Sequence, residues 1–185
     1  MKGRKILLFI LTAIIIGSTF VVKEKYIDRV LYPIKFQEYV EKYSSEYDLD
    51  KYLVYSIIRA ESKFDPEAIS HKDAKGLMQI SDTTAEWAER EIGVDSGKMF
   101  DPEINIETGC WYLNRLFMEF GDKDLVVAAY NGGSGNVTKW LEDHKYSKDG
   151  KNLHNIPFKE TLEYVEKVEK NYYKYISIYE EEESN

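Results

Sequence analysis

Apolar residues recur along most of the chain at three- and four-residue steps. Phe36, Tyr39, Val40, Tyr43 and Tyr47 form one such series, and Ile106, Cys110, Leu113, Phe117 and Phe120 another. That period lines up one face of an α-helix, and no strand-like alternation of useful length interrupts it. Helix starts are marked by Asp50 before Lys51, Thr83 before a helix through Trp87, Asp101-Pro102 before a long helix, and Asp124 before Leu125. Gly132-Gly133-Ser134-Gly135 is a breaker cluster that ends a helix, and Tyr146 to Asn155 reads as a loop or small flap. A final helix runs from Lys159 into the acidic residues Glu180 to Glu183. The pattern predicts a single all-α domain of six to eight helices, and roughly 150 residues suffice for one core.

One segment breaks the amphipathic pattern. Ile6 to Val22 carries no charge and follows Lys2, Arg4 and Lys5. As a helix its length is about 25 Å at ~1.5 Å per residue, near the lower limit for crossing a bilayer. Basic residues on its leading side keep residues 1–5 in the cytoplasm and deliver the rest outside. A signal peptide shares these features, with Gly17-Ser18-Thr19 as its small-residue candidate, but the length of the apolar stretch and the lack of an A-x-A-like site favour an uncleaved transmembrane anchor over residues 6–22. The expected organisation is then a linker over 23–33, marked by Tyr32-Pro33, a functional domain over 34–180 and an acidic tail over 181–185.

Charge narrows the function. The 20 Lys and Arg against 32 Asp and Glu of residues 26–185 leave a net −12, the opposite of a nucleic-acid footprint. Cys110 is the lone cysteine, so neither an intramolecular disulfide nor a cysteine zinc site is expected, and it reads as a small buried hydrophobe. His71, His144 and His154 lack ligand spacing, and no phosphate-cradling glycine loop is present, so no metal or cofactor is expected.

Glu61 is the residue that stands out. Val54, Ile57, Ile58 and Glu61 share one helical face, so a carboxyl takes the place of a hydrophobe on an apolar stripe. Desolvation there raises a carboxyl's pKa and keeps it protonated near neutrality, as a general acid requires. Periodicity leaves two other readings open: Arg59 or a neighbouring segment pairs with Glu61, or the helix turns it to water. Further along stand Gly76-Leu77-Met78-Gln79-Ile80, then Ala128-Ala129-Tyr130-Asn131-Gly132-Gly133, then Ile156-Pro157-Phe158 leading into Glu160, Thr161, Tyr164 and Val165. Each alone is bland: a satisfied core amide at Gln79, a glycine-ended helix, a proline-started amphipathic helix.

In this order and at these separations, Glu61-Ser62, GLMQI, AYNGG and PFKETLEYV together resemble the catalytic domain of the soluble-lytic-transglycosylase (SLT) family, relatives of goose-type lysozyme. The likeness runs from about Ile34 to about Tyr175. It implies a lysozyme-like α fold whose cleft binds peptidoglycan glycan strands, Glu61 as sole catalytic acid/base, and Ser62, Met78, Gln79, Tyr130, Asn131 and Tyr164 as substrate-site residues. Two departures sit beside the matched positions: Ser81-Asp82-Thr83 follows Ile80 where Met-Pro is usual, and AYNGG replaces AYNAG.

No second acid accompanies Glu61 in a matched motif, whereas an ordinary glycosidase needs two carboxylates. One suffices if the substrate's N-acetyl group stabilises the cation and its C6 hydroxyl closes the ring, giving 1,6-anhydromuramyl ends. Asp65, Glu67 and Asp73 read as loop-turn residues. A hydrolytic muramidase with the same acid, a catalytically idle glycan-binding module, and a plain membrane-tethered interaction domain are the competing readings.

Overall fold

The computed structural model describes residues 26–183. The expected anchor over residues 6–22 lies outside them. Among the described residues no helix is long and apolar enough to cross a membrane.

Residues 26–31 are helical, and seven further α-helices follow. They are α1 (Gln37–Glu46), α2 (Lys51–Glu61), α3 (Asp82–Ile92), α4 (Pro102–Phe120), α5 (Lys123–Gly132), α6 (Ser134–Glu142) and α7 (Lys159–Glu183), with a 3-10 turn at Ser96–Lys98. Among the described residues extended pairing is limited to isolated bridges, Ile69 with Lys75 and Lys75 with Ile80. The all-α expectation holds.

Caps explain where the helices begin. Asp50 accepts from the Tyr52 amide at 2.7 Å, and Asp101 accepts from Glu103 and Ile104 ahead of Pro102. Two starts lie two residues earlier than the sequence suggests. Ser81, not Thr83, caps α3, and Asp122, not Asp124, caps α5. In both cases the residue taken for the cap sits in the first turn; Asp124 there is favoured by the helix dipole.

α2 is the centre of the domain. Eight of its eleven residues, Tyr52 to Ile58 and Ala60, are buried, so it is enclosed on nearly all sides rather than along one stripe. It packs chiefly against α7, and α5 lies on α7 as well. Glu61 is where this enclosed helix reaches its end. The two aromatic series serve as core faces, with Val40, Ile106, Cys110 and Leu113 fully enclosed.

Residues 26–33, expected as a linker, are docked on the C-terminal half of α7. The Tyr179 hydroxyl donates to the Tyr32 carbonyl at 2.7 Å, Tyr175 donates to the Pro33 carbonyl at 3.2 Å, and Lys174 pairs with Asp28 at 2.6 Å. Arg59 lies 4.1 Å over the Tyr32 ring, so it faces this junction and is not the partner of Glu61.

Candidate active site

The site begins at the end of α2. Glu61 is the last helical residue and is partly buried. Its Oε1 accepts a 2.7 Å hydrogen bond from the hydroxyl of Tyr164 on α7. One turn further along α7, Lys167 Nζ donates to the carbonyl oxygen of Ala60 at 2.5 Å, placing an ammonium beside the same helix end. Burial pushes the Glu61 carboxyl up to about 7, against the opposing pull of the Tyr164 hydroxyl and then Lys167; the negative charge of Glu160 adds to the rise. Burial and the Glu61 charge hold Tyr164 well above its ordinary value, and the same two causes act on Tyr130. Both phenols therefore stay protonated and serve as donors.

Ser62 caps α2 and ties its end to the next segment. Its Oγ donates to the Leu77 carbonyl at 2.8 Å and accepts from the Phe64 amide at 3.1 Å. Ser62 is thus a brace between the end of α2 and GLMQI.

The GLMQI segment is held from beneath by Asn105 of α4, a fully enclosed side chain that no motif singles out. Asn105 accepts from the Met78 amide at 2.8 Å and donates to the carbonyls of Lys75 at 2.9 Å and Met99 at 2.7 Å. Gly76 lies directly over it with φ +75°, and a Cβ there would fall on the Met99 carbonyl and the Asn105 amide. Glycine is required at that position on both counts.

The two named residues of the segment sit differently. Met78 is 0% exposed, its sulfur filling the space that Gly109 leaves by lacking a side chain. Only its backbone is engaged, the carbonyl accepting from Tyr130 at 2.8 Å. Gln79, at φ +50°, turns its amide nitrogen to the carbonyls of Ala68 and Gly76 at 3.0 and 2.8 Å. Tyr130 and Asn131, at the end of α5, remain partly exposed. Asn131 Oδ1 accepts from Thr161 of α7 at 2.9 Å. A Cβ on Gly132 would come within 3.0 Å of the Thr161 hydroxyl and 3.2 Å of Trp140, so an alanine fits there only where those side chains shift by a few tenths of an ångström.

The structure therefore brings Glu61, Ser62, Tyr130, Asn131 and Tyr164 into one constellation and places Met78 and Gln79 in its supporting wall. Asp65, Glu67 and Asp73 are exposed, and Asp65 closes a turn onto the Glu67 amide. The acid whose charge reaches Glu61 is Glu160, which with Thr161 and Lys167 went unassigned in the sequence. Among the described residues no group of three His, Cys, Asp or Glu side chains could hold a metal ion.

Comparison with known proteins places this arrangement. Residues 38–153 match the family described as transglycosylase SLT domain. The soluble lytic murein transglycosylase of Escherichia coli (strain K12) is 32% identical over 143 residues, 74% of this chain and 22% of that protein. The membrane-bound lytic murein transglycosylase C of Edwardsiella ictaluri is 35% identical over 127 residues, 60% of this chain and 34% of that protein. The crystal structure of the 70 kDa soluble lytic transglycosylase from Escherichia coli superposes with a TM-score of 0.70 at 25% identity, covering 86% of this chain and 29% of that one. This chain thus spans about a fifth to a third of the length of these relatives.

Proposed function

The chain belongs to the transglycosylase SLT domain family, with its lysozyme-like fold, and on that premise we propose that it is a peptidoglycan lytic transglycosylase, cleaving the β-1,4 bond between N-acetylmuramic acid and N-acetylglucosamine with Glu61 as the one acid/base. The observation that carries this reading is the Glu61 carboxyl, pushed up to about 7 by burial and held at 2.7 Å by the Tyr164 hydroxyl. A group in that state gives up a proton and takes one back at neutral pH.

Protonated Glu61 delivers its proton to the glycosidic oxygen as the bond to muramyl C1 breaks. The N-acetyl carbonyl of the muramyl sugar bonds to C1 and carries the positive charge. The Glu61 carboxylate then removes the proton from the C6 hydroxyl, whose oxygen attacks C1 and displaces the acetamido oxygen. The product is a 1,6-anhydro ring, no water is consumed, and Glu61 ends protonated. Tyr164 orients and stabilises the carboxylate between the two transfers. Tyr130 and Asn131 face the sugar, while Ser62, Met78 and Gln79 keep the wall beneath it in shape.

The apolar segment 6–22 is the proposed membrane anchor, leaving the catalytic domain outside the cytoplasm. The relative whose name states that it is membrane-bound supports that location.

The test is digestion of purified peptidoglycan by the full chain and by Glu61→Gln, with sugar ends identified by mass spectrometry. Anhydromuramyl ends that the variant fails to make are expected. Glu61-dependent reducing ends would instead establish a hydrolytic muramidase, and binding without products from either protein would establish an idle glycan-binding module.

A further inference from the structure

The helical segment over residues 26–31 has its polarity inverted. Tyr26 is 70% exposed, Ile27 44%, Val30 61% and Leu31 52%, and as positions i, i+1, i+4 and i+5 of a helix these four side chains share one outward face. Asp28 lies on the other side, 21% exposed, with its carboxylate turned inward to Lys174 of α7 at 2.6 Å. The clasp of Tyr179 and Tyr175 on the Tyr32 and Pro33 carbonyls holds the segment in that orientation. A helix lying on a domain in water has the reverse arrangement, apolar side chains inward and carboxylates outward. Large apolar side chains gathered on one exposed strip, with the acid beneath them, mark a surface that meets something other than water.

The chain just ahead identifies what it meets. Only Lys23, Glu24 and Lys25 separate Tyr26 from Val22, the end of the uncharged run that begins at Ile6. At no more than ~3.6 Å per residue, Tyr26 stands within about 14 Å of Val22 however the residues between them run. A bilayer that holds the apolar run therefore brings its headgroup layer, roughly 5–8 Å thick on each side, up to this face. The residue types suit that layer. Tyrosine settles at the boundary between hydrocarbon and water. Lys23, Lys25 and Arg29 supply cations for lipid phosphates, in a body whose residues 26–185 otherwise sum to −12. A protein partner fits less well, because four side chains on two turns fall short of the roughly 800 Å² per partner that a stable interface covers, whereas a lipid surface needs only an apolar strip.

We propose that residues 26–31 lie along the membrane surface, with Tyr26, Ile27, Val30 and Leu31 in the headgroup layer and Asp28 turned away from it to Lys174, so that the domain is seated on the bilayer. The seat rests on the proposed anchor over residues 6–22 and is independent of the chemistry at Glu61. Because α7 carries both the clasp on Tyr32 and the Tyr164 that grips Glu61, the seat gives the cleft one orientation toward the membrane.

The test places the full chain in nanodiscs of phosphatidylethanolamine and phosphatidylglycerol, with one nitroxide at a time on Tyr26→Cys, Ile27→Cys, Arg29→Cys, Val30→Cys or Leu31→Cys. Met118→Cys, 74% exposed on α4, is the aqueous reference, and Cys110 is fully enclosed and takes no label. Collisions of each label with oxygen, which concentrates in lipid, are compared with collisions with a water-soluble nickel chelate. The labels at 27, 30 and 31 should favour oxygen severalfold over the label at 118, and the label at 29, off the apolar face, should fall below its neighbours. Nickel contact at all five positions equal to that at 118 would mean that the domain is held clear of the bilayer. An oxygen preference that falls steadily from 26 to 31 would mean that the segment stands upright, and shielding from both reagents would mean that a protein or a second copy covers the face. Each of these overturns the seat while the anchor stands. A chain that fails to enter nanodiscs overturns the anchor, and the seat with it.

Discussion

The hydroxyl of Tyr164 donates to the Glu61 carboxylate at 2.7 Å across 103 residues of chain, so the state of the acid at the end of α2 is set from α7. Burial favours the protonated form and the phenol favours the ionised one; burial is the larger. Tyr164→Phe removes only the second influence, so the Glu61 pKa rises further. The acid form then persists to higher pH, and the alkaline limb of the activity profile moves upward. Turnover at the optimum falls by about 10- to 100-fold, the loss of one hydrogen bond to a charged group. A limb that moves downward, measured by anhydromuramyl release against pH, would contradict this account.

Glu61 also couples pH to stability. Its folded pKa of about 7 lies above the ordinary 4.5. Any stability it lends is therefore present in full below about 4.5 and is lost as pH rises through about 7. A glutamine at the same place stays neutral throughout. Relative to wild type, Glu61→Gln should gain up to about 3 kcal/mol between pH 4.5 and 8, several degrees in Tm. Calorimetry across that range checks it, and a constant difference would mean that Glu61 is solvated.

Asn105 and Gly76 form the joint that holds GLMQI. Asn105→Ala leaves the Met78 amide and the Lys75 and Met99 carbonyls without their partner, at a cost of about 3 kcal/mol. Gly76→Ala fails at the same place through overlap and positive φ, with a similar cost. Urea denaturation should find both well below wild type.

The glycines around α6 separate two effects. Gly133 has φ +87° and ψ 136°, yet a Cβ there would meet only the Asn136 amide nitrogen at 3.9 Å. Gly133→Ala should therefore cost about 1–3 kcal/mol from backbone strain alone. Gly135 is helical with nothing within 4 Å, and Gly135→Ala should be neutral or stabilise by up to about 1 kcal/mol. Equal effects in thermal melts would refute the distinction.

What the sequence made legible was local. Asp50 and Asp101-Pro102 announce their helices because a cap acts on amides two or three residues away. Glu61 stands out because it interrupts an apolar period. The partners of Glu61 could not be read the same way. Tyr164 came only from the resemblance and Lys167 not at all, and the braces around them, Thr161 on Asn131 and Asn105 on Met78, were given no role, since each acts 27 to 107 residues away, a distance at which no period or cap survives. Gln79 has local partners that the pattern does not announce. Its amide is consumed by turn carbonyls close by, the bland alternative that applies to any lone glutamine between apolar residues.

The docking of residues 26–33 on α7 has a mechanical consequence. Tyr179, which grips Tyr32, and Tyr164, which grips Glu61, stand fifteen residues apart on one unbroken helix, about 22 Å at ~1.5 Å per residue. That helix is a strut with a clasp at each end. Residues 26–33 therefore move with the catalytic end of the domain as one body, and a load applied at Tyr32 reaches the helix that also carries Tyr164.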